Sequence, residues 1–131
     1  MRSSEYKIIK SSWGIWISIT AEIGSVQHDQ LEVTDLIGIK LAPDCINLSP
    51  QEIDYLKAGI KWVEHLITPK IAAPITIKIL EIRLVLTDYQ AEGLYYAIAS
   101  WLAEQFGFNL PSYRYSYNKE KNRYEFPDMI N

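Results

Sequence analysis

Cysteine is almost missing. Cys45 is the one cysteine in 131 residues, which excludes an internal disulfide and any zinc site built from several thiolates. Histidine is nearly as scarce. His28 and His65 are the only two, and neither has a second ligand at a metal-like spacing. Basic residues are not in excess: 13 Lys and Arg stand against 16 Asp and Glu, a net charge of −3. A strongly basic nucleic-acid binder is not indicated, and no DNA partner is expected. No long apolar run is present. The uncharged stretch from Ser11 to Ala21 is about half of what a bilayer crossing needs. The opening MRSSEYKIIK carries Arg2, Glu5, Lys7 and Lys10 and does not read as a signal peptide. A soluble cytoplasmic protein is expected, with no membrane partner. No G-x-x-x-x-G-K-[ST] phosphate loop occurs.

What is present is ordinary for a globular chain: 48% apolar and 22% charged residues, enough for one domain and too little for two. A single domain over 1–131 is expected, its core spanning about 5–108 and a hairpin 112–126. Ile15, Ile17, Ile19, Ala21 and Ile23 alternate with Trp16, Ser18, Thr20 and Glu22, which predicts a half-buried strand from Trp13 to Ile23. Tyr6 to Lys10 reads as an earlier strand. Leu31 to Leu41 carries Glu32, Asp35 and Lys40, so it reads as one edge strand.

Ser49, Pro50 and Glu52 announce a helix through a capping box with proline at the first turn. Ile53, Leu56, Ile60, Val63 and Ile67 form its apolar stripe, and Gly59 within it points to close packing against a sheet. From Ile75 to Leu86 a second long strand changes phase near Ile79 and Leu80, which predicts a bulge or a centrally covered strand. A second helix is predicted from Thr87 or Asp88, with Gln90 completing a capping box. Its stripe runs through Ala91, Leu94, Ala97, Ile98, Trp101, Leu102 and Phe106, and Gly107 ends it in the left-handed conformation. Tyr113, Tyr115 and Tyr117 alternate with Arg114 and Ser116, a polar turn spans Asn118 to Asn122, and Arg123 to Phe126 returns as the second arm of a hairpin.

This order predicts an α+β two-layer sandwich, helices on one side of the sheet. The segment GIKLAPDCINLSPQEIDYLKAGIKWVEHL, Gly38 to Leu66, resembles the first helix region of the fourth domain of elongation factor G, with Lys57, Ala58, Gly59 and Ile60 on its characteristic step. The segment ITIKILEIRLVLTDYQAEGLYYAIASWLAEQF resembles that domain's strand and Ala-rich second helix, with Asp88 at the acidic helix start and Ala97 and Ala99 in the Ala-rich part. The likeness covers about residues 13–108. It implies a βββαβα core with a left-handed crossover, and relatives that work on the ribosome. Val85 stands where the family has a tip histidine.

Catalytic constellations are weak. His28 lies in a polar turn, and His65 sits late in the first helix, where a cation suits the carbonyl end. Cys45 reads as a small inert side chain. Asp88, Glu92, Glu81 and Arg83 gather near the second helix start, but Asp88 is accounted for as a cap and Glu92 as a first-turn anion.

The C-terminal hairpin is the most informative surface. Between Ser112 and Phe126, four basic residues face two acidic ones, while the rest of the chain has nine basic against fourteen acidic. Tyr113, Arg114, Tyr115, Tyr117, Lys119, Lys121, Arg123 and Tyr124 are therefore the candidate partner-binding residues. Tyr and Arg suit a protein interface. The same residues could stack bases and hold phosphates, or the tyrosines could be cross-strand pairs on an added edge. The expectation is a non-enzymatic binding domain with no cofactor and no metal, its partner another protein or a second copy. The alternatives are RNA or ribosome binding and a small enzyme using Asp88 and Glu92.

Overall fold

The computed structural model describes residues 2–9, 14–85 and 89–129. Trp13, Thr87 and Asp88 lie outside them, so the helix cap and the carboxylate assigned to Thr87 and Asp88 do too. The isoleucine-rich segments form strands β1 (Arg2–Ile9), β2 (Gly14–Ser25), β3 (Leu31–Glu32), β4 (Ile37–Leu41) and β5 (Ile75–Leu84), in the sheet order β1-β2-β5-β4-β3. β4 and β5 run parallel; the other neighbours are antiparallel. Helix α1 (Pro50–Ile67) crosses between β4 and β5, and α2 (Gly93–Phe106) follows β5. The fold is α+β, with a five-stranded mixed sheet, two helices and a C-terminal hairpin, β6 (Ser116–Asn118) and β7 (Arg123–Glu125).

The core lies on one face of the sheet. Ile15, Ile17 and Ile19 of β2, Ile37 and Ile39 of β4, and Ile77, Ile79 and Ile82 of β5 meet Leu56, Ile60, Val63 and Ile67 of α1 and most of α2. Glu5 and Lys7 on β1, Glu22 on β2 and Glu81 and Arg83 on β5 lie exposed on the other face. The phase change in β5 is a bulge. Thr20 pairs with Glu81 and Ala21 with Ile79, so Leu80 is the extra residue that keeps isoleucines on the core side of both halves.

The α1 start is as the capping box predicts: the Glu52 amide donates to Ser49 Oγ at 3.1 Å, and the Ser49 amide donates to Glu52 Oε1 at 2.9 Å. At the end of α2, Gly107 takes φ 69°, and the Phe108 amide returns to the Ala103 carbonyl at 3.2 Å.

Three expectations need correction. Residues 31–41 are not one edge strand. The Thr34 hydroxyl accepts from the Leu36 and Ile37 amides and bends the chain, leaving β3 as a short edge and β4 as a parallel neighbour of β5. Gly59 packs against a helix, not the sheet: an added Cβ would collide with the Tyr95 carbonyl oxygen of α2. And α2 starts at Gly93, later than its cap signals suggest, with no side-chain cap at Glu92. Its stripe is also wider than predicted. Residues Leu94 to Ala99 and Trp101 to Ala103 are all buried, so α2 is enclosed on nearly every side.

Candidate interaction surface

The residues after Gly107 close the side of α2 that the sheet and α1 leave open. Period-two alternation over Tyr113–Tyr117 sends every tyrosine to one side, and that side is the interior. Tyr113 stacks on Tyr96 of α2 at 4.0 Å and 16°, and meets Trp62 of α1 edge-on at 5.9 Å. Its hydroxyl lies 2.7 Å from that of Tyr6 on β1. Phe126 packs on Tyr96 at 4.8 Å, and Tyr115 bridges Tyr113, Tyr124 and Phe126. Tyr117 meets Tyr124 edge-on at 5.2 Å. Edge-on and offset arrangements like these are favourable for ring quadrupoles. Burial, aided by the Tyr113 hydroxyl, pushes the Tyr6 phenol far above its ordinary value, and burial raises Tyr96 and Tyr113 as well.

Gln90 fixes the hairpin from below. Its amide nitrogen donates to the Tyr124 carbonyl at 2.7 Å, and its amide oxygen accepts the Tyr124 N–H at 2.8 Å. The side chain expected to cap α2 thus serves as a one-residue strand partner. Around it, Arg123 pairs with Glu92 at the start of α2, and Arg114 makes a two-pronged contact with Asp128, its terminal nitrogen 2.7 Å from Oδ1.

The candidate residues therefore divide. Tyr124 is 0% exposed and offers nothing to a partner, because its ring is packed with those of Tyr115 and Tyr117. Tyr113, Tyr115 and Tyr117 are half-buried, with their rings in the cluster. Arg114, Ser116, Lys119, Lys121 and Arg123 face solvent. Of these cations, Lys119 and Lys121 have no ion-pair partner among the described residues.

Beside this segment lies an open groove of about 640 Å³, with Tyr55, Ala58, Trp62 and Tyr95 against Gln51, Asp54, Lys57 and Lys61. Neither Tyr55 nor Trp62 is among the residues that the sequence singles out. The signal was there: Tyr55, Ala58 and Trp62 form a second stripe on α1, offset from the one that meets the sheet. Trp62 joins groove and hairpin through its contact with Tyr113.

The acid/base candidates do not converge. Glu92 is engaged by Arg123, and Glu81 and Arg83 lie exposed on the solvated face of β5. His28 and His65 are exposed. Cys45 is half-buried, and burial, reinforced by the charge of Glu81, holds its thiol above its ordinary pKa. Among the described residues no three His, Cys, Asp or Glu side chains gather as metal ligands, and no helix is long and apolar enough to cross a membrane.

No family model, curated protein or solved structure matches the chain.

Proposed function

We propose that the protein is a cytoplasmic, non-enzymatic binding module whose partner is another protein. The partner is held by the outward row of the C-terminal hairpin and the aromatic groove beside it. One observation carries this reading: the tyrosines turn inward and leave Arg114, Ser116, Lys119, Lys121 and Arg123 exposed on the hairpin, while Trp62, which meets Tyr113, opens with Tyr55 onto a groove rimmed by Asp54, Lys57 and Lys61. A concave aromatic floor with a charged rim is the anatomy of a protein-binding hot spot.

The RNA- or ribosome-binding alternative is carried by the resemblance to the fourth domain of elongation factor G, and the ion pairs of the hairpin count against it. Arg114 and Arg123 are matched by Asp128 and Glu92, and Glu120 and Glu125 lie exposed on the same hairpin. Base stacking on the hairpin would also need tyrosine faces that the cluster already uses.

The test is co-purification of a stoichiometric protein partner with the full chain, repeated with Lys119→Glu/Lys121→Glu and with Tyr55→Ser. Loss of the partner in both, at unchanged circular dichroism, supports the site. Retention in both removes it. Binding to RNA that weakens steeply with salt would put the alternative in its place.

A further inference from the structure

We propose that β1 is a self-recognition edge, pairing antiparallel with β1 of a second copy about a two-fold axis through Tyr6. This names a second copy as the occupant of the free sheet edge and does not depend on the hairpin site. β1 is the end strand of the sheet. Its eight residues are long for an unprotected edge, and among the described residues no other strand lies outside it.

The backbone phase follows from the neighbouring ladders. The Ile79 carbonyl accepts from Ala42 beside β4, so Ile79 turns its backbone groups away from its partner Ala21 on β2. Ala21 therefore turns toward Arg2 on β1, and Ile19 and Ile17, on the same phase of β2, turn toward Ser4 and Tyr6. Glu5 and Lys7 then turn their backbone groups outward at the free edge.

The side chains then select the register. A two-fold antiparallel pair that keeps both cores on one face must be centred on a residue. Centring on Tyr6 sets Glu5 opposite Lys7 of the second copy, and Lys7 opposite its Glu5, both on the solvated face. Glu5 then exchanges backbone bonds with Lys7 of the second copy, while Tyr6 faces its own copy in a pair without backbone bonds. Moving the centre one residue back sets Glu5 against Glu5; moving it one residue forward sets Lys7 against Lys7. Opposite charges directly across a pair stabilise, and like charges destabilise. The E-Y-K triplet therefore accepts one alignment and rejects both neighbours. Lys7 also blunts the edge toward any strand lacking a matched acid. Two copies joined this way form one continuous sheet with an isologous interface.

The experiment is sedimentation of the full chain over a concentration series up to millimolar, with Glu5→Lys, Lys7→Glu and the double exchange Glu5→Lys/Lys7→Glu. Both residues are exposed, and unchanged circular dichroism confirms that each variant folds. The wild type and the double exchange are expected to approach twice the 15.1 kDa of one chain. Each single variant should self-associate on the order of ten- to hundred-fold more weakly. Mixing the two single variants should restore a dimer, because one then carries two acids and the other two bases. A wild type that stays monomeric throughout, or single variants that dimerise as well as it does, would overturn the proposal. Lys119→Glu/Lys121→Glu should leave the dimer intact, which separates failure here from failure of the hairpin site; its loss in that variant would also count against β1.

Discussion

Gln90 and Tyr124, 34 residues apart, meet as a reciprocal pair: one side-chain amide satisfies both the N–H and the C=O of one backbone residue. Both residues are buried, so neither bond has water to replace it. Gln90→Leu leaves both Tyr124 backbone groups unsatisfied and should destabilise the domain by about 2–4 kcal/mol. Gln90→Glu sets a second oxygen against the carbonyl and should cost at least as much. Urea denaturation gives the loss, and limited proteolysis near Lys119 and Lys121 should show the hairpin opening first.

Gly59 tests the contact between the two helices. Helix propensity alone would make Gly59→Ala stabilising by about 1 kcal/mol. The Tyr95 carbonyl beneath it reverses the sign: the helices must part, and a loss of about 1–3 kcal/mol is expected. A raised melting temperature would refute the close approach.

Tyr6 and Tyr113 make the fold sensitive to alkali. Their phenols ionise near 10.0 in the unfolded chain and higher in the folded one. The neutral cluster is therefore fully stabilising below pH 10.0 and loses that contribution as pH rises above it, because only the unfolded state releases its protons. Tyr6→Phe should flatten this alkaline loss while forfeiting about 1 kcal/mol at neutral pH from the hydroxyl pair. Denaturation midpoints measured from pH 8 to 11 would check both signs.

Glu52 acts at the opposite end of the scale. Burial would raise its pKa, but bonds from the Ser49 amide, the Tyr89 hydroxyl and Ser49 Oγ outweigh it and hold the carboxyl below its ordinary value. Its stabilisation is complete above the unfolded value of 4.5 and is lost as pH falls through the lower folded value. Ser49→Ala should cost about 1 kcal/mol at neutral pH, and Glu52→Gln should reduce the loss in acid. Thermal melts between pH 3 and 7 would separate the two.

These cases mark what local sequence could and could not show. Ser49, Glu52 and Gly107 carry out conformational jobs that involve near neighbours, and all three were legible. The β5 bulge was legible because its phase change is written into Ile75–Leu84 itself. Gln90 was misread because its partner lies far along the chain. Alternation at Tyr113, Tyr115 and Tyr117 said that the rings share a side without saying which side. The interior was named only by Tyr96 and Tyr6, which no short window contains. Tyr55 and Trp62 escaped because a second apolar stripe on α1 looks like more core until the neighbouring surface is known.

The enclosure of α2 has a consequence for biosynthesis. Rings contributed by Tyr113 and Phe126 are what shield its last bare flank. A nascent polypeptide can thread β1 through β5 early, yet its greasiest rod stays wet until the ribosome has moved beyond codon 126. Truncations that trim the tail to simplify the protein should yield sticky, chaperone-bound material in place of a smaller working domain.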